Sequence, residues 1–210
     1  MFSDLIHFII NGGFFMLPLG ICSVVSLAFI LERFVALRRI NILPVDLVTS
    51  IVRLRIGQDT EMLADMAGPG RSTLARLVRV SLEHLPWSRS ENVEAVQTQA
   101  RTEVIRMERG LVVLEIITGI SPMLGLLGTV SGLITIFANI GDVGLGDQGM
   151  IIAKGISEAL NTTVAGLVVA IPSLIAHSYY SRNIESMMME MESLTMDLIA
   201  KLYLQAETEE

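Results

Sequence analysis

Apolar positions along this chain fall into three long runs, set among shorter segments in which charge and helical periodicity alternate. The first runs from Phe8 to Leu31, but Asn11-Gly12-Gly13 breaks it, so continuous helix is expected from Phe14, leaving 18 residues. That is close to the lower limit of about 17 for crossing a bilayer as a helix. The second run, Ile116 to Gly141, has 26 residues, and the third, Ala159 to Ser181, has 23 with no Asp, Glu, Lys or Arg. Both are long enough to cross with some tilt. The pattern predicts an all-α integral membrane protein with three transmembrane helices and long helical extensions. The expected division is 1–13 as an interfacial segment with a short helix over Met1 to Ile10, 14–36 as the first span, 37–110 as a helical domain, 111–141 as the second span, 142–153 as a loop, 154–181 as the third span and 182–210 as a helical tail. A cleaved signal peptide is the competing reading of the first run; it lacks a basic leading region and a small-residue cleavage site before Glu32-Arg33, so a retained span is expected.

The polar segments read as extensions of these spans. Ser88-Arg-Ser-Glu91 fits a capping box, in which Ser and Glu satisfy the first orphan amides of a helix, and no Gly or Pro follows until Gly110. A helix started there is expected to run nearly into the second span. From Arg182 to Gln205 there is again no breaker, and Ile184, Met187, Met191, Leu194, Leu198 and Leu202 recur at helical spacing. Met187-Met188-Met189 is expected to be adaptable packing between helices, with a binding surface as the alternative. Gly57, the Gly68-Pro69-Gly70 turn and Pro86 cut Val45 to Ser90 into short helices.

Composition agrees with a membrane location. The 210 residues are 51% hydrophobic and 18% charged, with mean hydropathy +0.59, against about 25% charged residues in soluble domains. The lone Cys22 has no partner for an internal disulfide and no companions for a thiolate metal site. No nucleophile constellation, metal cluster or phosphate loop is visible, so neither an enzyme nor a cofactor or metal is expected, and nothing supports nucleic-acid binding. Of 15 basic residues, 12 lie between Arg33 and Arg109. By the positive-inside rule this segment and the tail are expected in the cytoplasm, with the N-terminus and the Asp142 to Gly149 turn outside.

Helical projection sharpens the two later spans. At about 100° per residue, Thr118, Ser121, Gly125, Gly128, Thr129, Gly132, Thr135 and Asn139 share an arc of roughly 120°. On the third span Gly155, Glu158, Ala159, Thr162, Thr163, Gly166, Ala170, Ser173 and His177 share roughly 140°. For the glycines and alanines, close helix packing is the expected role. Thr hydroxyls can bond a carbonyl one turn back, but Glu158, at the mouth of the apolar run, needs water, a proton or a cation. Two roles stay open for it: part of a polar strip with Thr162 and Thr163, or an ion pair with Lys154 one turn earlier. His177 reads as a packing histidine, with proton relay as the alternative.

Two motifs, Ser121-Pro-Met-Leu-Gly-Leu-Leu-Gly-Thr-Val-Ser-Gly132 and Gly155-Ile-Ser-Glu-Ala-Leu-Asn-Thr-Thr-Val-Ala-Gly-Leu-Val-Val-Ala-Ile-Pro172, resemble the paired signature of the MotA/TolQ/ExbB proton-channel family. Leu31-Glu32-Arg33-Phe34 also resembles the family's first-span exit, and the three-span layout is closest to ExbB and TolQ. The resemblance implies a ring-shaped homo-oligomer, a pentamer, around two copies of a single-span ExbD- or TolR-like subunit bearing a proton-carrying Asp. It implies a bacterial inner-membrane stator that converts proton motive force into work on a TonB- or TolA-like envelope protein. Carried over by motif position, Thr129 and Thr163 line the proton route with Thr162 beside them, and Glu158 is the family glutamate near the outer side. Gly125, Gly128, Gly132 and Gly166 pack the helices, and Pro122 and Pro172 let them flex. Ser131 and Asn161 depart from the usual pattern, leaving room for a sodium-driven or gliding stator. A non-conducting envelope scaffold is the rival from another class; a solute transporter is disfavoured by the absence of repeated halves.

Overall fold

The computed structural model of the chain describes residues 13–54, 61–68, 70–139 and 148–209, and among these the regular structure is helical with no strand. The expected interfacial helix over Met1 to Ile10, the break at Gly57 and most of the Asp142 to Gly149 turn lie outside the described residues. Eight helices follow in order: α1 Met16–Ala36, α2 Arg39–Ile42, α3 Val45–Arg53, α4 Glu61–Ala67, α5 Thr73–Glu83, α6 Arg89–Glu108, α7 Leu111–Asn139 and α8 Gln148–Glu209. Three of them, α1, α7 and α8, are long and apolar enough to cross a membrane. The chain divides into two compact units, Met1–Glu32 with Gly110–Tyr179, and Arg33–Arg109 with Tyr180–Glu210.

The first unit is built on α7 and the first part of α8. Gly13, at φ +72°, a conformation open to glycine, turns the chain into α1, and its carbonyl accepts from the Met16 amide at 3.1 Å. One stripe of α1, with Met16, Leu19 and Ser26, is buried, while Leu17, Ile21, Val24, Leu27 and Leu31 stay outward. In α7 the buried positions are Leu111, Leu114, Ile117, Ser121, Gly125, Gly128 and Ile136; in α8 they are Ala159, Thr162, Gly166, Ala170 and Ser173. These stripes meet antiparallel. A methyl group at Gly166 would stand 2.6 Å from the Ser121 carbonyl oxygen, one at Gly125 would stand 3.0 Å from the Thr162 carbonyl oxygen, and one at Gly132 would meet the Ala159 methyl at 3.0 Å. The glycines are what let the backbones approach. Ser26 and Ser173 share a buried hydrogen bond of 2.6 Å, and Ser173 also donates to the Val169 carbonyl at 2.7 Å, tying α1 to α8 without an unmet polar group.

Helix α8 begins at Gln148, six residues before the span start expected at 154. Pro122 and Pro172 both lie inside continuous helix.

In the second unit the short helices α2 to α5 pack with α6 and the later part of α8. The capping box is formed as expected: the Glu91 amide donates to Ser88 Oγ, and the Ser88 amide donates to the Glu91 carboxylate at 3.0 Å. Ile51, Leu74, Leu77, Val78, Val96, Ile184, Met191 and Leu198 form its core. Of the six apolar positions predicted for the tail, Leu194 is half-buried and the other five are buried. Met187 and Met188 are buried and Met189 is exposed, so the methionine cluster is largely packing.

Candidate functional site

The two glycine-rich motifs form one helix pair, and the polar groups they carry separate onto its two flanks. On one flank lies a cavity of about 360 Å³. Gly128, Gly132, Gly155 and Ala159 line its packed side, Glu158, Thr162, Ser131 and Thr135 supply its polar wall, and Phe14 and Phe15 at the head of α1 bound it. Phe14 and Phe15 stack edge to face with centroids 5.7 Å apart. The Glu158 carboxylate has its Oε1 3.9 Å from Lys154 Nζ, with the side chains 40% and 79% exposed respectively. An ion pair of that length and exposure is weak. Thr162 is 1% exposed, its methyl wedged where a side chain on Gly128 would otherwise stand, and its hydroxyl faces the Glu158 carbonyl at 3.5 Å. Thr135 donates to the Ser131 carbonyl at 3.0 Å.

Thr129 and Thr163 do not line this cavity. Thr163 sits 100° further round α8 than Thr162 and donates its hydroxyl to the Gly125 carbonyl of α7 at 3.2 Å. This bond joins the two motifs directly. Thr129 is half-buried and donates to the Leu126 carbonyl of its own helix at 2.7 Å. The strip read from sequence as Glu158, Thr162 and Thr163 is thus split: Glu158 and Thr162 face the cavity, and Thr163 turns towards the side on which Thr129 lies. Gly125, Gly128, Gly132 and Gly166 all stand at the α7–α8 contact.

Sequence reading missed three contributors. Ser131, in sequence a departure from the family pattern, lines the cavity; its position three residues after Gly128, on the Thr135 side of α7, is the available signal. Ser26 has no sequence signal, since a lone serine in an apolar span bonds its own helix as readily as another. Glu115 lies within α7 and is exposed, and counting the apolar run from Ile116 set it aside. Among the described residues no group of three or more His, Cys, Asp or Glu is placed to hold a metal.

Residues 71–193 match the MotA/TolQ/ExbB proton channel family. The chain is 34% identical over 169 residues to the putative biopolymer transport protein ExbB-like 1 of Synechocystis sp., an alignment covering 79% of this chain and 66% of that protein. It is 28% identical over 165 residues to the biopolymer transport protein exbB1 of Vibrio cholerae, covering 77% and 72%. With the biopolymer transport protein ExbB of Aquifex aeolicus it shares 31% identity over 115 residues, covering 55% and 76%.

Proposed function

Because this chain belongs to the MotA/TolQ/ExbB proton channel family, with three helices able to cross a membrane, we propose that it is the proton-conducting stator subunit of an ExbB–ExbD-like or TolQ–TolR-like motor. In this reading it lies in the bacterial inner membrane with the N-terminus periplasmic and the tail cytoplasmic. Copies of the chain, five in number, surround two single-span subunits that each carry an Asp, and the assembly drives a TonB- or TolA-like protein. ExbB names among the relatives favour the ExbB-like form.

The observation that carries the reading is the Thr163 hydroxyl on the Gly125 carbonyl. It ties Thr163 of one motif to the backbone of the other, four residues before Thr129, which supports a shared polar position for the two threonines. A protonated Asp is neutral and tolerates an apolar wall, whereas the carboxylate needs hydroxyls and water. A flank with Thr129 and Thr163 beside surfaces of Ile, Leu and Val offers both environments, so protonation biases which one the Asp occupies. Glu158 lies in its cavity towards the other end of the span, near the entry in this reading.

The test is proton uptake by lipid vesicles holding the full chain purified with its single-span partner subunit. The parent complex should acidify the lumen under an inward proton gradient. Thr163→Val and Glu158→Gln should assemble normally and lose about tenfold or more of that flux, equivalent to about 1.4 kcal/mol in the rate-limiting barrier. A parent complex that assembles but conducts no better than empty vesicles would instead identify a scaffold.

A further inference from the structure

Glu115 is a carboxylate inside an apolar helix that neither the cavity nor the threonine pair uses. Antiparallel packing fixes its depth: Ser121 stands against Gly166, so Glu115, six residues earlier, lies near the level of Pro172. That is ten residues, roughly 15 Å, short of Arg182, the first charge after the apolar run of α8, and six residues, roughly 9 Å, past Arg109 on its own chain. Glu115 is exposed in the single chain and, among the described residues, makes no hydrogen bond or ion pair. A carboxylate at that depth facing lipid is costly, so a watered or protein-lined surface is required around it.

Its direction says which surface. Glu115, Pro122 and Thr129 are spaced by seven residues, within about 20° of one another per step, and so run down one flank of α7. Thr163, Ala170 and His177 are likewise spaced by seven on α8, and the Thr163 bond to Gly125 shows that their line adjoins the flank of Thr129. The Glu158 cavity is on the other flank. The same register sets His177 level with Gly110, five residues or about 7.5 Å along the axis from Glu115. His177 is half-buried and also makes no hydrogen bond among the described residues.

We propose that Glu115 is a second protonatable station on the threonine-lined flank, at the end of the span nearest Arg109. This rests on the proton-conducting reading above. A proton carried by water in the groove adds to the Glu115 carboxylate and gives the neutral acid. Transfer to a further water restores the carboxylate, with no net change in the chain. Thr129 and Thr163 can only pass a proton along a hydrogen bond; Glu115 can hold one.

The experiment uses the same vesicles and a second readout that is independent of flux. Glu115→Gln should lower proton uptake tenfold or more with the oligomer unchanged by size, and Glu115→Asp should recover most of it. In a Cys22→Ser background, Glu115→Cys should react with a charged thiol reagent much faster than Ile116→Cys, which lies at nearly the same depth but 100° round α7, away from the flank of Thr129. Normal flux in Glu115→Gln, or equal labelling at the two positions, overturns the proposal. If the parent conducts and Thr163→Val does not while Glu115→Gln does, this inference alone falls. If the parent does not conduct, the stator reading falls and takes the inference with it.

Discussion

Glu103, in α6, shows what a committed buried carboxylate looks like in this molecule. Its side chain is 1% exposed and accepts from Arg76 at 2.8 and 2.5 Å, from Gln99 at 2.8 Å and from Arg106 at 3.1 Å. Burial alone would raise its pKa; the Arg76 hydrogen bonds and charge, the Arg106 charge and the Gln99 amide outweigh it and hold the carboxyl below its ordinary value of 4.5. A depressed folded pKa makes this contribution complete above the ordinary value and drains it as pH falls through the lowered one, so thermal stability of the full chain should decline below about pH 4.5. Glu103→Ala should destabilise by about 3 kcal/mol, since it strands the partly buried Arg76, and should flatten that acid limb; thermal unfolding of the full chain in detergent at several pH values measures both. The site was invisible in sequence because Arg76 and Glu103 are 27 residues apart on different helices. Glu158, by contrast, stood out as the carboxylate before an unbroken apolar run, and its distant, exposed Lys154 is what distinguishes it from Glu103.

At the level of elements, the small-residue faces of α7 and α8 were legible from a 100° projection, and the two faces do meet. Which glycine is indispensable was not legible, because that depends on what opposes each one. Gly166 faces the Ser121 carbonyl, and backbone cannot rotate away, whereas Gly119 has nothing within 4 Å of where a methyl would stand. Gly166→Ala should therefore destabilise the α7–α8 pair by about 1–3 kcal/mol and lower the amount of folded protein, while Gly119→Ala should be neutral or slightly stabilising through helix propensity. Equal thermal midpoints for these two variants in detergent would contradict the packing described. The split of Thr162 from Thr163 was hidden for a related reason. Two adjacent residues both fall within a wide arc, and only the position of the neighbouring helix decides that one wedges against Gly128 while the other bonds Gly125.

For the whole molecule, the division into an apolar unit and a charged, helix-packed unit follows from where the charges fall, and α8 contributes residues to both. Its later part holds the second unit through Met191 and Leu198, each fully buried, and through Tyr203, whose hydroxyl donates to the Trp87 carbonyl at 2.8 Å and accepts from Asn92 at 3.2 Å. Met191→Ala should cost about 2–5 kcal/mol of stability and Met189→Ala, at an exposed position, within about 0.5; limited proteolysis of the full chain separates them. By itself the sequence determined the helical class, the three long apolar helices, the capping box and the small-residue faces of the two motifs, because helical periodicity, apolar length and capping chemistry are local properties of consecutive residues. Only the tertiary structure decided that Glu158 shares a cavity with Ser131 and Thr135, that Thr163 reaches across to Gly125, that Glu103 is locked by Arg76, and that Glu115 lies on the flank of Thr129. Those facts depend on helix register and rotation, which are set by how small residues on one helix meet backbone on another.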